Sequence, residues 1–113
     1  MLNLTPHPIT IAIDGRDPVT IQPSGTVARV ETTEIPRDKL AFGDAFAEEV
    51  PVISRRFGEV TGLPDDPAVA CLVSSLVLSA IPGRPNTFAP DTGPTAIRDE
   101  KGHIVAVTRL VAA

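Results

Sequence analysis

Apolar and polar residues alternate along Ile9-Thr10-Ile11-Ala12-Ile13 and again along Val19-Thr20-Ile21, with Asp14-Gly15-Arg16-Asp17-Pro18 between the two runs. A two-residue period marks a half-buried strand, and a short loop containing glycine between β-branched runs predicts a hairpin. Pro23-Ser24-Gly25 is a second turn. Thr26 to Thr33 then reads as a strand with Val27, Arg29 and Glu31 on one face and Ala28, Val30 and Thr32 on the other. From Glu34 to Glu49 the pattern is lost, although Asp44 to Glu49 has the composition of a helical turn. Strand character returns from Val50 to Thr61, where Gly58 marks a bulge or a close approach of two chains.

After the loop Gly62 to Pro67, the continuous apolar run from Ala68 to Val73 reads as a central strand covered on both faces. Ser74 and Ser75 are good helix N-caps, apolar residues follow at helical spacing to Ile81, and Pro82-Gly83 stops the helix. Near the end, the polar turn Asp99-Glu100-Lys101-Gly102 joins Thr95-Ala96-Ile97 to Ile104-Val105-Ala106-Val107 in a hairpin. These elements predict a mainly β domain spanning residues 1–113. It is a small antiparallel twisted sheet or open barrel of roughly six or seven strands with one short helix.

Composition narrows the partners. The chain has 113 residues, enough for one core. With only 4% aromatic residues it lacks the stacking platforms that hold single-stranded nucleic acid, and its formal net charge of −4 gives no basic footprint for a duplex or a membrane surface. No nucleic acid polymer and no membrane is therefore expected as a partner. An anionic ligand would have to be met by a few local arginines and backbone N–H groups. Cys71 lies in the apolar run and reads as a small buried hydrophobe. With one cysteine there is no disulfide framework, the start has no basic, apolar signal pattern, and no apolar run reaches the length of a bilayer span. The expectation is a soluble protein of a reducing cytoplasm.

The polar residues that could carry chemistry each have a plainer reading. His7 stands between Pro6 and Pro8, which limit its backbone and suit it to a preorganised ligand contact or acid–base role; the same arrangement also serves a strand entry. Ser24-Gly25-Thr26 could form an anion nest or only a turn. Ser74 and Ser75 would bring hydroxyls and free N–H groups to a helix start, either for a phosphate or carboxylate or for capping alone. Pro90-Asp91-Thr92-Gly93-Pro94 fixes a carboxylate and a hydroxyl in a rigid turn. Arg84, Arg98, Asp91 and Asp99 complete the polar set, and Arg98 could pair with Asp91 or Asp99 in a structural ion pair or fork onto a phosphate.

Arg55-Arg56 reads as one inward-leaning and one solvated side chain, and the pairs Glu48-Glu49 and Asp65-Asp66 as solvated loop charges. No pair of His103, Cys71 and the other candidate ligands has metal-ligand spacing, so neither a metal nor any other cofactor is called for. The nucleophile elbow and the glycine-rich phosphate loop with lysine are both missing from the sequence.

As a set, Leu4-Thr5-Pro6-His7-Pro8-Ile9, Pro23-Ser24-Gly25-Thr26-Val27-Ala28-Arg29-Val30, Gly58-Glu59-Val60-Thr61-Gly62-Leu63-Pro64, Val73-Ser74-Ser75 and the segment from Ala89 to Asp99 are distinctive. Over nearly its whole length the chain resembles a group of small uncharacterised proteins of tailed phages and actinobacteria. The resemblance implies an accessory protein acting in a bacterial host cell, and some phage proteins of this size sequester nucleotide signals made by bacterial defence systems. The expected function is binding of a small anionic, nucleotide-like ligand without turnover by His7, Ser24, Ser74, Ser75, Arg84, Asp91, Thr92 and Arg98. A small hydrolase acting on such a ligand, or a protein-interaction or structural accessory protein, are the competing readings. Homo-oligomerisation is expected through the apolar run from Ile104 to Val111.

Overall fold

The computed structural model describes residues 1–41 and 49–113. In chain order its elements are β1 (Leu2–Asn3), β2 (Ile9–Ile11), β3 (Val19–Ile21), β4 (Arg29–Pro36), β5 (Leu40–Ala41), β6 (Glu49–Val50), β7 (Ile53–Thr61), β8 (Cys71–Leu72), α1 (Ser75–Ala80), β9 (Thr87–Pro90), β10 (Ile97–Arg98), β11 (Ile104–Ala106) and β12 (Leu110–Ala112). Strands take up 42% of the described residues and helix 6%, so the fold is mainly β with one short helix, and among the described residues none of the small twisted sheets closes into a barrel. The strands are shorter and more numerous than the sequence pattern suggests, because each ends where its pairing partner does.

The apolar run after Pro67, expected to be a central strand covered on both faces, is not buried throughout: Ala68 and Val69 are exposed in a turn, and the deepest part of the protein is the end of the run. Cys71, Leu72 and Val73 are wholly buried, and β8 lies inside a four-stranded sheet of order β1-β8-β9-β12. β8 runs parallel to both β1 and β9, whereas β12 is antiparallel to β9. Pairing is also antiparallel at β2–β3, β5–β6 and β10–β11. The parallel pair β8–β9 has a physical reason. Parallel neighbours need a crossover connection, and α1 is that connection, packed on β9.

The helix starts where its N-cap places it. Ser74 is extended and its Oγ accepts from Val77 N at 3.3 Å, while Val77 and Leu78 turn inward. Ile81 N closes the last turn on Leu78 O, and Pro82 cannot continue it.

The β2–β3 hairpin forms with Ile9 opposite Ile21 and Ile11 opposite Val19. Ile9, Leu72 and Val107 form the buried centre, with Ile11, Ile21, Phe88, Ala96 and Leu110 packed against them. The run 104–111 is not one strand. Val107 bridges Ile11, with Val107 N donating to Thr10 O and Ala12 N donating to Val107 O, both at 2.9 Å. Leu110 pairs with Pro90 instead, so the chain changes sheets at Thr108-Arg109. Thr108 Oγ1 secures the crossing by donating to Thr95 O at 3.1 Å.

By contact clustering the chain divides into one unit of Met1–Arg29 with Val60–Ala113 and another of Val30–Glu59. In the first, Gly62 sits at φ +88, and a Cβ there would lie 2.8 Å from Val27 O. In the second, β4 pairs with β7 and β5 with β6. Gly58 is the close approach expected of it: a Cβ would come within 3.2 Å of the Glu31 side chain. Arg55 and Arg56 are both exposed, and neither leans inward, since a two-stranded ribbon offers no interior to receive one. The helical turn expected over Asp44 to Glu49 lies outside the described residues except for Glu49, which belongs to β6.

Candidate functional site

A groove of about 320 Å³ opens between the start of β2 and β11, within the first unit. His7, Pro8, Ile9 and Thr10 form one wall, Ile104, Val105, Ala106 and Val107 the other, and Pro90 and Thr92 close one side. The lining is mostly apolar, with His7, Thr10 and Thr92 as its polar side chains.

The backbone of His7 is fixed from beneath. Asn3 is 1% exposed; its Nδ2 donates to His7 O at 2.8 Å and Ile21 O at 3.0 Å, and its Oδ1 accepts from Thr5 N at 3.0 Å and Thr5 Oγ1 at 2.6 Å. Thr5 Oγ1 also reaches His7 O at 3.1 Å. Every donor and both lone-pair sites of the amide are thereby used. The His7 ring is left exposed on a rigid loop.

The Asp91-Thr92-Gly93 turn is held in the same way. Asp91 Oδ1 accepts from Gly93 N at 3.0 Å, and Oδ2 accepts from Arg109 Nε. The Gly93 N–H first and the Arg109 guanidinium second hold the Asp91 carboxyl below its ordinary value. The Arg109 side chain is 63% exposed despite this pair.

Arg98 makes neither of the ion pairs expected of it. Its Nη1 donates to Gly102 O at 2.8 Å and its Nη2 to Thr92 O at 3.2 Å. Asp99 is engaged elsewhere, since its Oδ1 accepts from Lys101 N and His103 N, both at 2.9 Å. The reason is local: an Asp that starts a tight turn meets the backbone N–H groups two to four residues on before any distant side chain can reach it.

Of the residues singled out from the sequence, the fold brings His7 and Thr92 into one groove, sets Asp91 on the turn beside it, and bonds Arg98 of β10 to that turn through Thr92 O. Ser24, Ser74, Ser75 and Arg84 do not line that groove. Ser24 Oγ bonds within its own turn, donating to Thr26 O at 3.2 Å, and Ser24 N donates to Asn3 O. Ser74 caps α1, and Ser75 O accepts from Ser79 Oγ at 3.0 Å. Arg84 Nη2 donates to Pro64 O at 2.7 Å, while its Nε is buried without a partner.

Sequence reasoning did not single out Asn3, Thr10, Arg109 or the apolar wall. Asn3 has a visible signal, a lone amide between Leu2 and Leu4, because a polar residue within an apolar strand must find internal partners. Arg109 has a weaker one, as the cation that interrupts the last apolar run.

Cys71 is buried with its Sγ 3.9 Å from Thr87 Oγ1. Among the described residues no cluster of three or more His, Cys, Asp or Glu side chains could hold a metal ion, and no helix is long and apolar enough to cross a membrane. Comparison with family models, curated proteins and solved structures finds nothing that matches this chain.

Proposed function

We propose that this protein binds a small anionic, nucleotide-like molecule in the groove between His7 and Thr92 and returns it unchanged. The observation that carries the reading is the groove's make-up. An apolar wall of Pro8, Ile9, Val105 and Val107 faces the cavity together with His7 and Thr92, and Arg98 is tied to the carbonyl of Thr92. An apolar cleft of a few hundred Å³ with a few fixed polar groups is the usual form of a small-molecule site. A flat ring has apolar surface to lie on there, and its anionic part has cations at the edge.

With a net charge of −4, the chain as a whole repels anions, so any affinity for one must come from these local groups. Arg98 and Arg109 each keep N–H donors beyond the bonds that anchor them, and a guanidinium fork suits phosphate oxygens. Binding without turnover fits a site whose polar groups are anchored to carbonyls and turn N–H groups rather than arranged as nucleophile and base. The resemblance to small uncharacterised proteins of tailed phages and actinobacteria, with the accessory role it implies, makes nucleotide signals of bacterial defence the class to test first.

The test is a thermal-shift screen against mononucleotides, cyclic nucleotides and cyclic oligonucleotides, followed by heat denaturation and mass spectrometry of the released ligand. A ligand at about a hundred times its Kd should stabilise the fold by about 2.7 kcal/mol and be recovered at unchanged mass. His7→Ala and Val105→Glu should remove the shift, and Ser24→Ala should keep it. Recovery of a cleaved product would replace this reading with hydrolysis, and stabilisation by no anionic metabolite would end it.

A further inference from the structure

The unit Val30–Glu59 is built on the β4–β7 ribbon. The faces of that ribbon follow from two contacts. Glu34 and Arg55 meet side chain to side chain at 3.5 Å, and Gly58 faces the Glu31 side chain. Alternation along each strand then puts Val30, Thr32 and Glu34 of β4 on one face with Ile53, Arg55 and Phe57 of β7. That face is open: Ile53 is 42% and Phe57 39% exposed. A two-stranded ribbon is marginal in water unless something packs on it, and among the described residues no third strand pairs with β4 or β7.

The charges indicate what the cover is. On this face the charged side chains are Glu34 of β4 and Arg55 and Glu59 of β7, and Glu34 with Arg55 makes one acid–base pair across the strands. The side-chain contact at 3.5 Å sets Glu34 and Arg55 across from each other between the strands. A two-fold axis running along the ribbon between its strands keeps every residue at its level and exchanges the strands. Glu34 of each copy then lies over Arg55 of the other, and the arrangement is reciprocal, as an isologous contact requires.

We propose that a second copy of this chain packs on the Val30–Phe57 face of the ribbon, with Ile53 and Phe57 covered and the Glu34–Arg55 pairs exchanged between the copies. β7 has nine residues, and at about 3.3 Å per residue such a ribbon presents a few hundred Å² per copy. That places the contact in the weak class, below about 1,200 Å² in total. The interface residues belong to the second unit and the residues of the His7–Thr92 groove to the first, and the proposal does not depend on the ligand.

Sedimentation velocity from micromolar to millimolar protein tests it. The wild type should pass from monomer to dimer as concentration rises. Phe57→Lys, Glu34→Arg and Arg55→Glu should each weaken association by about tenfold or more, with circular dichroism and melting temperature showing that each variant folds. The decisive measurement mixes Glu34→Arg with Arg55→Glu. Each variant alone sets like charges against each other, but the mixture restores opposite charges across the interface and should form a heterodimer. An exchange confined to one chain cannot produce that rescue. A wild type that stays monomeric, a dimer that Phe57→Lys leaves intact, or a mixture that does not associate would each overturn the proposal. So would a dimer abolished by Val111→Lys alone, which would move the contact to β12.

Discussion

Asn3 decides more of the groove than any residue that lines it. It joins the carbonyls of His7 and Ile21 through one amide and takes two bonds from Thr5. Asn3→Ala would leave those buried groups unpaired and should cost about 3 kcal/mol, at the upper end for a buried polar partner; urea unfolding measures it. In the same variant ligand affinity should fall further than the stability loss explains at temperatures where the fold is intact, because the His7 loop is no longer pinned. Asp91 makes a pH-dependent contribution. Its carboxyl is held below its ordinary value by Gly93 N and Arg109, so the unfolded state takes up its proton first as pH falls. The stabilisation is complete above the unfolded carboxylate value of about 3.9 and is lost as pH drops through the lower folded value. Asp91→Asn should therefore melt below the wild type at neutral pH, and melting curves across the acid range should show the gap closing below that point. These roles were partly legible in the sequence. Asp91-Thr92-Gly93 announces a fixed turn, whereas nothing near Asp91 in the chain announces Arg109 as its partner.

The elements were most legible where side-chain chemistry is local. The hairpins around Gly15 and Gly102 and the helix behind Ser74 form where turn and cap residues place them, because a turn or a cap involves only a few consecutive residues. Gly62 is a different case, since its need for glycine comes from a chain segment far away in sequence. At φ +88 with Val27 O 2.8 Å from where a Cβ would stand, Gly62→Ala combines backbone strain with a backbone clash. Gly15 has φ +73 and open space around it, so Gly15→Ala carries the strain alone, about 1 kcal/mol. Gly62→Ala should lose at least about 3 kcal/mol by the same measure, and comparison of the two by chemical denaturation isolates the clash. Strand ends were the least legible feature. The apolar run before Val73 pairs only at Cys71–Leu72, and the run after Ile104 splits in two, because pairing partners rather than hydrophobicity decide where a strand stops.

For the whole molecule, stability should be uneven. Amide exchange should be slowest at residues 71–73, which are wholly buried and lie between β1 and β9, and faster along β4 and β7, whose side chains are mostly exposed. Equal protection in the two would mean that the ribbon is covered already in dilute solution. The sequence by itself determined the class: β-branched alternation, glycine and proline turns and one capped helix make a mainly β protein, and its charge sets it apart from basic, polymer-binding domains. Those properties follow from neighbours a few residues apart. The tertiary structure alone decided that β8 is parallel to both its neighbours, that His7 and Thr92 share a groove while Ser24, Ser74, Ser75 and Arg84 bond elsewhere, and that Arg98 meets carbonyls where carboxylates were expected. Each of those outcomes depends on which distant segments come to lie side by side, and that is set by the burial of Ile9, Leu72 and Val107 in one cluster, a long-range condition that no local pattern encodes.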